Sequence, residues 1–374
     1  MGKIVILNRR YCPGEAWTNR FLAYAKGFAE HGQEVVIYYL IADKNRTPYS
    51  INIPGVKIVN LWEQDGWLCK HFRILSFLKN LLRFKKEIMP HDYVLFSGLH
   101  NYQFYIANRI RKYTKVFCES TEHPAVFKKR NPKDYERLKN NLNKLNGLFV
   151  ISQSLKDFYV SIGVSKEKIH IINMFVDTTR FSGLSKNKCE KYIAYCGAVS
   201  YDKDGVNTLI EAFALFNKSH ADYKLYIIGK GVTPSTISNL KELSLALGIS
   251  NNVVFTGAVP PNKMPQILYD AKILALARPN NLQAQNGFPT KLGEYLATGN
   301  PVVVTRVGDI PLFIKHKKNG FLSDPDAKSF AEQLSWIAEH YEEAITIGLN
   351  GKSLADNDFS YLSQSKKVIN KMNI

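Results

Sequence analysis

The segment YIAYCGAVSYDKDGVNTLIEAFALFNKSHADYKLYII (Tyr192–Ile228) sets two short apolar runs on either side of one longer amphipathic run. Tyr192–Cys196 and Lys224–Ile228 have the length and the aliphatic and aromatic content of buried strands, and Val206–Ser219 between them carries a helical pattern. A strand, a helix and a second strand in that order predict a parallel βαβ unit. The pattern continues downstream with a helix at Ser235–Leu247, a strand at Val253–Phe255, a helix at Asn262–Asp270 and a strand at Ile273–Leu276. A helix at Thr290–Thr298 and a strand at Pro301–Thr305 follow, with Gly299 where a helix C-cap is expected. The last segment, from about Pro325, is mostly helical in pattern.

Upstream the same alternation is present. Strands are expected at Ile4–Leu7, Val35–Leu40, Val56–Val59, Tyr93–Phe96, Lys115–Cys118 and Gly147–Ile151, with helices at Thr18–His31 and Gln153–Ile162. Between the two series Phe181–Glu190 dissolves into small and charged residues and reads as a linker. The chain is therefore α/β with two successive parallel sheets, which implies a cleft between them. In open sheets of this kind ligands bind beyond the carboxyl ends of the strands.

Composition agrees. A chain of 374 residues with 45% hydrophobic and 22% charged content is a globular protein, and it excludes extensive disorder, collagen and a disulfide mini-scaffold. The formal charge is +18, and it is uneven: residues 1–190 hold 31 basic and 16 acidic side chains, residues 191–374 hold 19 and 16. The first half should meet something anionic: nucleic acid, a phosphate-bearing substrate or a lipid surface. Cys12, Cys69, Cys118, Cys189 and Cys196 show no metal-like spacing and read as free thiols in a reducing cytoplasm. The N-terminus is too short in apolar residues for a signal peptide, and no stretch approaches 18 apolar residues.

Five stretches hold residues suited to chemistry. After the strand ending at Cys196 come Gly197, Lys203 and Gly205 before a helix, which is either an anion cradle or an ordinary βα turn with a solvated lysine. In Asn286–Pro301, Gly287, Phe288, Pro289 and Thr290 lead into a helix whose free amides can hold a phosphate. Lys291 in its first turn opposes the helix dipole; it is either there for an anionic ligand or is a solvated or ion-paired surface lysine. Glu294, one turn on, is either placed for the two hydroxyls of a ribose or a surface carboxylate. In Cys118–Pro124, Glu119, Glu122 and His123 offer acid–base or hydrogen-bonding groups at a strand end, against a structural role for the histidine. The loop Tyr11–Trp17 carries Gly14, which allows close backbone approach, and Glu15. Finally, Lys70–Met89 spaces Ile74, Leu75, Leu78, Leu81, Leu82 and Ile88 as an apolar stripe beside Arg73, Lys79, Arg83, Lys85 and Lys86. Such a helix either lies in an anionic bilayer interface or packs on the sheet with its basic residues outward. Lys128–Lys133 adds a second basic cluster to the same half.

Taken in order, these motifs resemble glycosyltransferase family 4, retaining nucleotide-sugar enzymes of the GT-B fold, in its bacterial polysaccharide and O-antigen branch. The likeness is carried by Ile172–Phe181, Gly197…Lys203-Asp-Gly205…Phe213, Tyr226–Gly231, Val254–Gly257, Leu292–Val303 and Asn319–Leu322, and it covers nearly the whole chain. It implies two Rossmann-like domains with sheets facing across a cleft: an acceptor domain at 1–182, a donor domain at 183–356, and a C-terminal helix at about 357–374 crossing back onto the first. Lys203 matches the lysine on the donor diphosphate and Glu294 the glutamate on the nucleotide ribose. His123 resembles the histidine near the transferred sugar, and the Gly14 loop, with Glu15 and Glu122 as its acidic neighbours, resembles the loop facing diphosphate and acceptor.

Two departures stand out. Asn286 occupies the place of the first glutamate of E-x7-E; it keeps a hydrogen-bonding carbonyl and loses the charge. The arginine found in the family before the diphosphate lysine is absent, Ala198, Val199 and Ser200 standing there, and Lys291 can supply that charge. The resemblance implies retaining hexosyl transfer from a UDP- or GDP-sugar, without divalent metal or other cofactor, to a lipid-linked or other saccharide acceptor. It also implies a cytoplasmic enzyme resting on the inner face of the plasma membrane. The rival readings are a nucleotide-sugar isomerase or epimerase of the same fold, a binding relative without catalysis, and a basic nucleic-acid- or membrane-binding protein. No recognised nucleic-acid module is present, so a nucleic-acid partner is not expected.

Overall fold

Strand β1 (Ile4–Asn8) reads IVILN and is buried at every position, a pattern that suits a parallel sheet covered on both faces. The computed structural model describes residues 2–12, 15–42, 52–65, 71–127, 131–187 and 190–374. With β1 run β2 (Val35–Tyr39), β3 (Val56–Asn60), β4 (Tyr93–Ser97), β5 (Lys115–Ser120), β6 (Gly147–Val150) and β7 (Ile169–Ile171). They form one sheet in the order β3-β2-β1-β4-β5-β6-β7, and every pairing is parallel. Ile4 pairs with Val35 on one side and Tyr93 on the other, so the chain leaves β1 one way and returns at β4 the other way. That reversal opens a crevice at the carboxyl ends of β1 and β4.

The second sheet repeats the plan with β8 (Tyr192–Cys196), β9 (Lys224–Ile228), β10 (Val253–Gly257), β11 (Ile273–Leu276), β12 (Val302–Thr305) and β13 (Phe321–Ser323). Its order is β10-β9-β8-β11-β12-β13, again all parallel, with the reversal between β8 and β11.

The chain divides into two units, Met1–Phe175 with Tyr361–Ile374, and Val176–Ser360. In the first unit the helix Ala16–Glu30 lies on the terminal helix Tyr361–Met372. Gly27 makes that approach feasible, because a Cβ there would stand 2.2 Å from Ser365 Oγ and 2.8 Å from the Tyr361 carbonyl. Tyr361 donates to Glu30, and Lys26 sits 4.4 Å from the Tyr361 ring centroid. Tyr24, Phe28, Ile37, Phe117, Phe149, Val368 and Met372 meet in one core beneath. The stretch 181–187 is tied to the second unit: Phe181 is buried, Lys186 donates to Ala271 O and Asn300 Oδ1, and Asn187 donates to both oxygens of Asp270. The chain passes between the units instead at Phe175–Val176. Counted by unit, the charge separates further: 31 basic and 14 acidic residues in the first, 19 and 18 in the second.

Elements outside the sequence expectation include β7, β13 and the helices Asn101–Ile110 and Pro132–Leu142, besides several single-turn helices. The two strands are three residues each, too short to show a period. The second helix buries only Leu138 and Leu142, so its apolar face is nearly invisible in sequence, and Asn131 and Asp134 start it by a reciprocal capping box.

Candidate active site

The loops that follow β8 and β9 lie back to back. Gly229, at φ +142°, comes so close that a Cβ would stand 1.8 Å from the Gly197 carbonyl oxygen, so only glycine fits. The chain then turns through Tyr201–Asp204, capped by Ser200, whose Oγ accepts from the Lys203 amide at 3.1 Å. Gly205, in the left-handed region at φ +62°, ends this turn and starts the helix Val206–Asn217. A Cβ there would lie 2.0 Å from the Ala277 carbonyl, so the loop rests on the end of β11. Lys203 and Asp204 are thereby set at the reversal point of the second sheet.

Lys291 reaches the same place from the helix Thr290–Ala297, which Pro289 precedes at the N-cap. Its Nζ donates to Asp204 Oδ2 at 2.5 Å and to Tyr195 Oη at 3.1 Å, and it lies 4.7 Å from the Tyr195 ring centroid. The ammonium lies against the end of β8: a Cβ on Gly197 would stand 2.4 Å from it. A cation in a first helical turn opposes the dipole, and a buried carboxylate outweighs that term. Asp204 is 2% exposed; burial alone would raise its carboxyl, but Lys291 beside it, then Arg278 and the Tyr195 hydroxyl, hold it below the usual range. Arg278, buried just past β11, donates from Nε to the Lys203 carbonyl at 3.4 Å, and the Arg278 carbonyl accepts from Thr305 Oγ1 at 2.8 Å.

Glu294, one turn along from Lys291, is ion-paired with Arg180 at 2.5 Å, each side chain about a third exposed. Arg180 Nη2 also donates to Pro261 O at 3.4 Å. Asn286 closes the helix Leu282–Asn286 and donates from Nδ2 to the Leu282 carbonyl, within its own turn. Gly287 is buried beside Arg278: a Cβ would lie 3.5 Å from Nη2. Phe288 turns away from the crevice into an aromatic cluster, with ring centroids 5.3 Å from Phe313 and 5.9 Å from Phe359. Its side chain packs the loop in place. Pro289 is buried and Thr290 half-buried at the helix start.

In the first unit, His123 is buried against Phe158 at 4.1 Å, and its Nδ1 accepts from the Ala125 amide at 3.2 Å. That bond leaves the proton of the neutral ring on Nε2, and burial lowers its pKa, so the ring is kept neutral. Glu122 is half-buried in the same turn. Glu119 is structural: its Oε1 accepts from Arg20 Nη2 at 2.8 Å, Nε at 2.9 Å and Tyr24 Oη at 2.5 Å, while Arg20 also donates to the carbonyls of Ile172 and Asn173. Glu15 stands exposed at the N-cap of Ala16–Glu30; Gly14 and Lys128–Arg130 lie outside the described residues. At the reversal of the first sheet, Asn8 is fully buried with neither side-chain polar atom bonded among the described residues.

The helix Arg73–Glu87 packs through Ser76, Asn80, Leu81 and Phe84 and leaves Ile74, Leu75, Leu78 and Leu82 in solvent. Arg73, Lys79 and Lys86 are exposed, and Arg83 and Lys85 half-buried. Among the described residues no helix is long and apolar enough to cross a membrane, and no group of three His, Cys, Asp or Glu could hold a metal.

The site residues that sequence reasoning missed are Asp204, Tyr195, Arg278 and Arg180. The signal for Asp204 was present in Lys291 itself, since a cation in a first turn calls for a carboxylate partner.

Residues 190–340 match the family described as glycosyl transferases group 1. Among curated proteins, the chain is 24% identical over 269 residues to the amylovoran biosynthesis glycosyltransferase AmsK of Erwinia amylovora, covering 68% of this chain and 64% of that one. It is 26% identical over 214 residues to the putative colanic acid biosynthesis glycosyltransferase WcaL of Escherichia coli K12, covering 56% and 51%. The chain thus spans about two thirds and one half of these relatives. Among solved structures, Anabaena HepE in complex with UDP superposes with a TM-score of 0.77 at 16% identity, covering 99% of both chains. TarM gives 0.77 at 14% identity over 100% of this chain and 99% of that one. The two parallel sheets are those of the GT-B fold, and residues 190–340, less than half of the chain, carry the likeness to group 1 glycosyl transferases.

Proposed function

We propose that this protein transfers a sugar, with retention, from a UDP- or GDP-linked donor to an acceptor hydroxyl, the acceptor being a lipid-linked saccharide of cell-surface polysaccharide assembly. The observation that carries the reading is the crevice at the β8/β11 reversal, where Lys291 and buried Arg278 meet the Gly197–Gly205 loop that carries Lys203. The donor diphosphate lies there, with Gly287, Pro289 and Thr290 presenting the helix start and Glu294 facing the ribose. As the C1–O bond to phosphate breaks, its electron pair passes to the leaving oxygen, and cations placed there stabilise the transition state more than the bound donor. The acceptor oxygen bonds C1 on the same face and its proton passes to the departing phosphate. All the positive charge this scheme needs is on side chains, so no divalent metal is assigned a part.

Relatives named for amylovoran and colanic acid biosynthesis, and a neighbour solved with UDP and glucose, support the donor and product classes. The net charge of the first unit and the outward leucines of Arg73–Glu87 support an anionic membrane surface as partner and a cytoplasmic, peripheral location. Calorimetry against UDP-, GDP-, ADP- and CMP-sugars should find one nucleotide bound. Incubation of that donor with lipid-linked acceptor should give an α-linked product and free nucleoside diphosphate, undiminished in EDTA. An altered sugar still joined to its nucleotide would show an isomerase instead, and activity lost in EDTA and restored by Mg²⁺ would end the metal-free scheme.

A further inference from the structure

One carboxylate stands where the proposed chemistry calls for cations. Asp204 is buried, 3% exposed in its side chain, and it accepts from Lys291 Nζ at 2.5 Å and from Tyr195 Oη at 2.8 Å. Tyr195 Oη is held in turn 2.7 Å from the Ala198 carbonyl. Lys291 is thus bound twice, by a carboxylate on the turn after β8 and by a phenol on β8 itself. For the lysine this means placement. A four-carbon side chain that would otherwise sample solvent is fixed with its ammonium over Gly197, at the end of the strand. For an incoming anion the same carboxylate has the opposite sign. In a partly buried crevice, charges a few ångström apart are screened far less than in water, so Asp204 repels what Lys291 attracts.

We infer that Asp204 is a positioning residue with two linked effects: it holds Lys291 over Gly197, and it weakens the grip on the nucleoside diphosphate so that product leaves after transfer. The inference rests on the proposed function, because it concerns the anion that function places beside Lys291. Structural damage lowers affinity; removal of a competing negative charge raises it. The sign of the change therefore separates this role from a merely structural one.

The test is calorimetry on the full chain with UDP and GDP as probes. Asp204→Asn, close to isosteric, should lower the dissociation constant of the nucleotide that binds by about tenfold. Both kcat and the donor KM should fall as release slows. Lys291→Gln should raise the dissociation constant by at least about tenfold, since it leaves a bare carboxylate in the crevice. The double variant Asp204→Asn/Lys291→Gln should bind more tightly than Lys291→Gln alone, a comparison that stands even where the single Asp204 variant does not fold. Unchanged or weaker binding on removing Asp204, in either background, overturns the inference and leaves donor binding by the wild type intact. A wild type that binds neither UDP nor GDP removes the proposed function, and the inference with it.

Discussion

Lys203 and Lys291 are held in different ways, and the difference predicts what a mutation does. Lys203 is fixed through its backbone: its amide donates to Ser200 Oγ and its carbonyl accepts from Arg278. Truncating the side chain leaves both bonds in place. Lys203→Ala should therefore change stability by no more than about 0.5 kcal/mol and leave the melting temperature near that of the wild type, while transfer falls roughly a hundredfold with the loss of the cation proposed for the leaving phosphate. Circular dichroism melting and steady-state kinetics on the purified variant check both halves; wild-type turnover in a folded Lys203→Ala protein would remove that residue from the site. The lysines and glycines were legible in sequence because a strand end, a glycine and a helix start are local signals. Their counter-ions were not. Asp204 lies 87 residues from Lys291 and Arg180 lies 114 from Glu294, and nothing in sequence spacing states which distant carboxylate a cation will meet.

At the scale of elements, the helix Arg73–Glu87 shows what periodicity can and cannot settle. The apolar positions were legible; that Leu81 and Ile88 turn inward while Ile74, Leu75, Leu78 and Leu82 turn outward was not. The side that packs inward includes Ser76 and Asn80, and Asn80 Nδ2 donates to the Leu40 carbonyl at the end of β2 and to Ser76 Oγ. Those bonds satisfy polar groups that burial would otherwise penalise, so the leucines are free to point outward. Ile74 is 76% exposed and Leu82 56%. Arg73, Lys79 and Lys86 flank the row, which suits an anionic interface where apolar side chains enter the acyl boundary and cations meet headgroups. The protein should sediment with phosphatidylglycerol vesicles at low salt and much less with phosphatidylcholine. Ile74→Asp/Leu78→Asp should cut vesicle binding at least tenfold, because each apolar chain that enters lipid contributes about 1.5–3 kcal/mol. Both positions are exposed, so the melting temperature should hold. Equal sedimentation of variant and wild type would sink this helix as the contact.

At the scale of the molecule, β8 and β11 were recognisable from their apolar runs, but the reversal between them was not, because a βαβ pattern fixes parallel direction and not the side of the sheet on which the next strand joins; edge strands β7 and β13 were too short to read. The same buried architecture constrains how the protein responds to acid. Four histidines have pKa values below their ordinary 6.5. Burial does it at His123; burial and then Arg9 at His100; burial and then Lys371 and Lys156 at His170; burial and then Lys317 and Arg306 at His316. A histidine that resists protonation when folded is protonated first in the unfolded chain, so the unfolded state binds more protons as pH falls from about 6.5 towards the folded values. Stability contributed by these groups is complete above pH 6.5 and is lost below it. Asp204, held low by Lys291 and its neighbours against burial, adds a second loss only at more acid pH, below the ordinary 3.8 of an aspartate. The melting temperature should thus be level from pH 8 to 7 and fall between pH 6.5 and 5, by roughly 2–4 °C for each kcal/mol lost in units of this size. Three of the four histidines lie in the unit that already holds 31 basic against 14 acidic residues, so protonation there also adds to self-repulsion, and 0.3 M salt should recover part of the fall. A melting temperature that is flat or rising from pH 7 to 5 would show that these rings take up protons as readily in the folded protein as outside it.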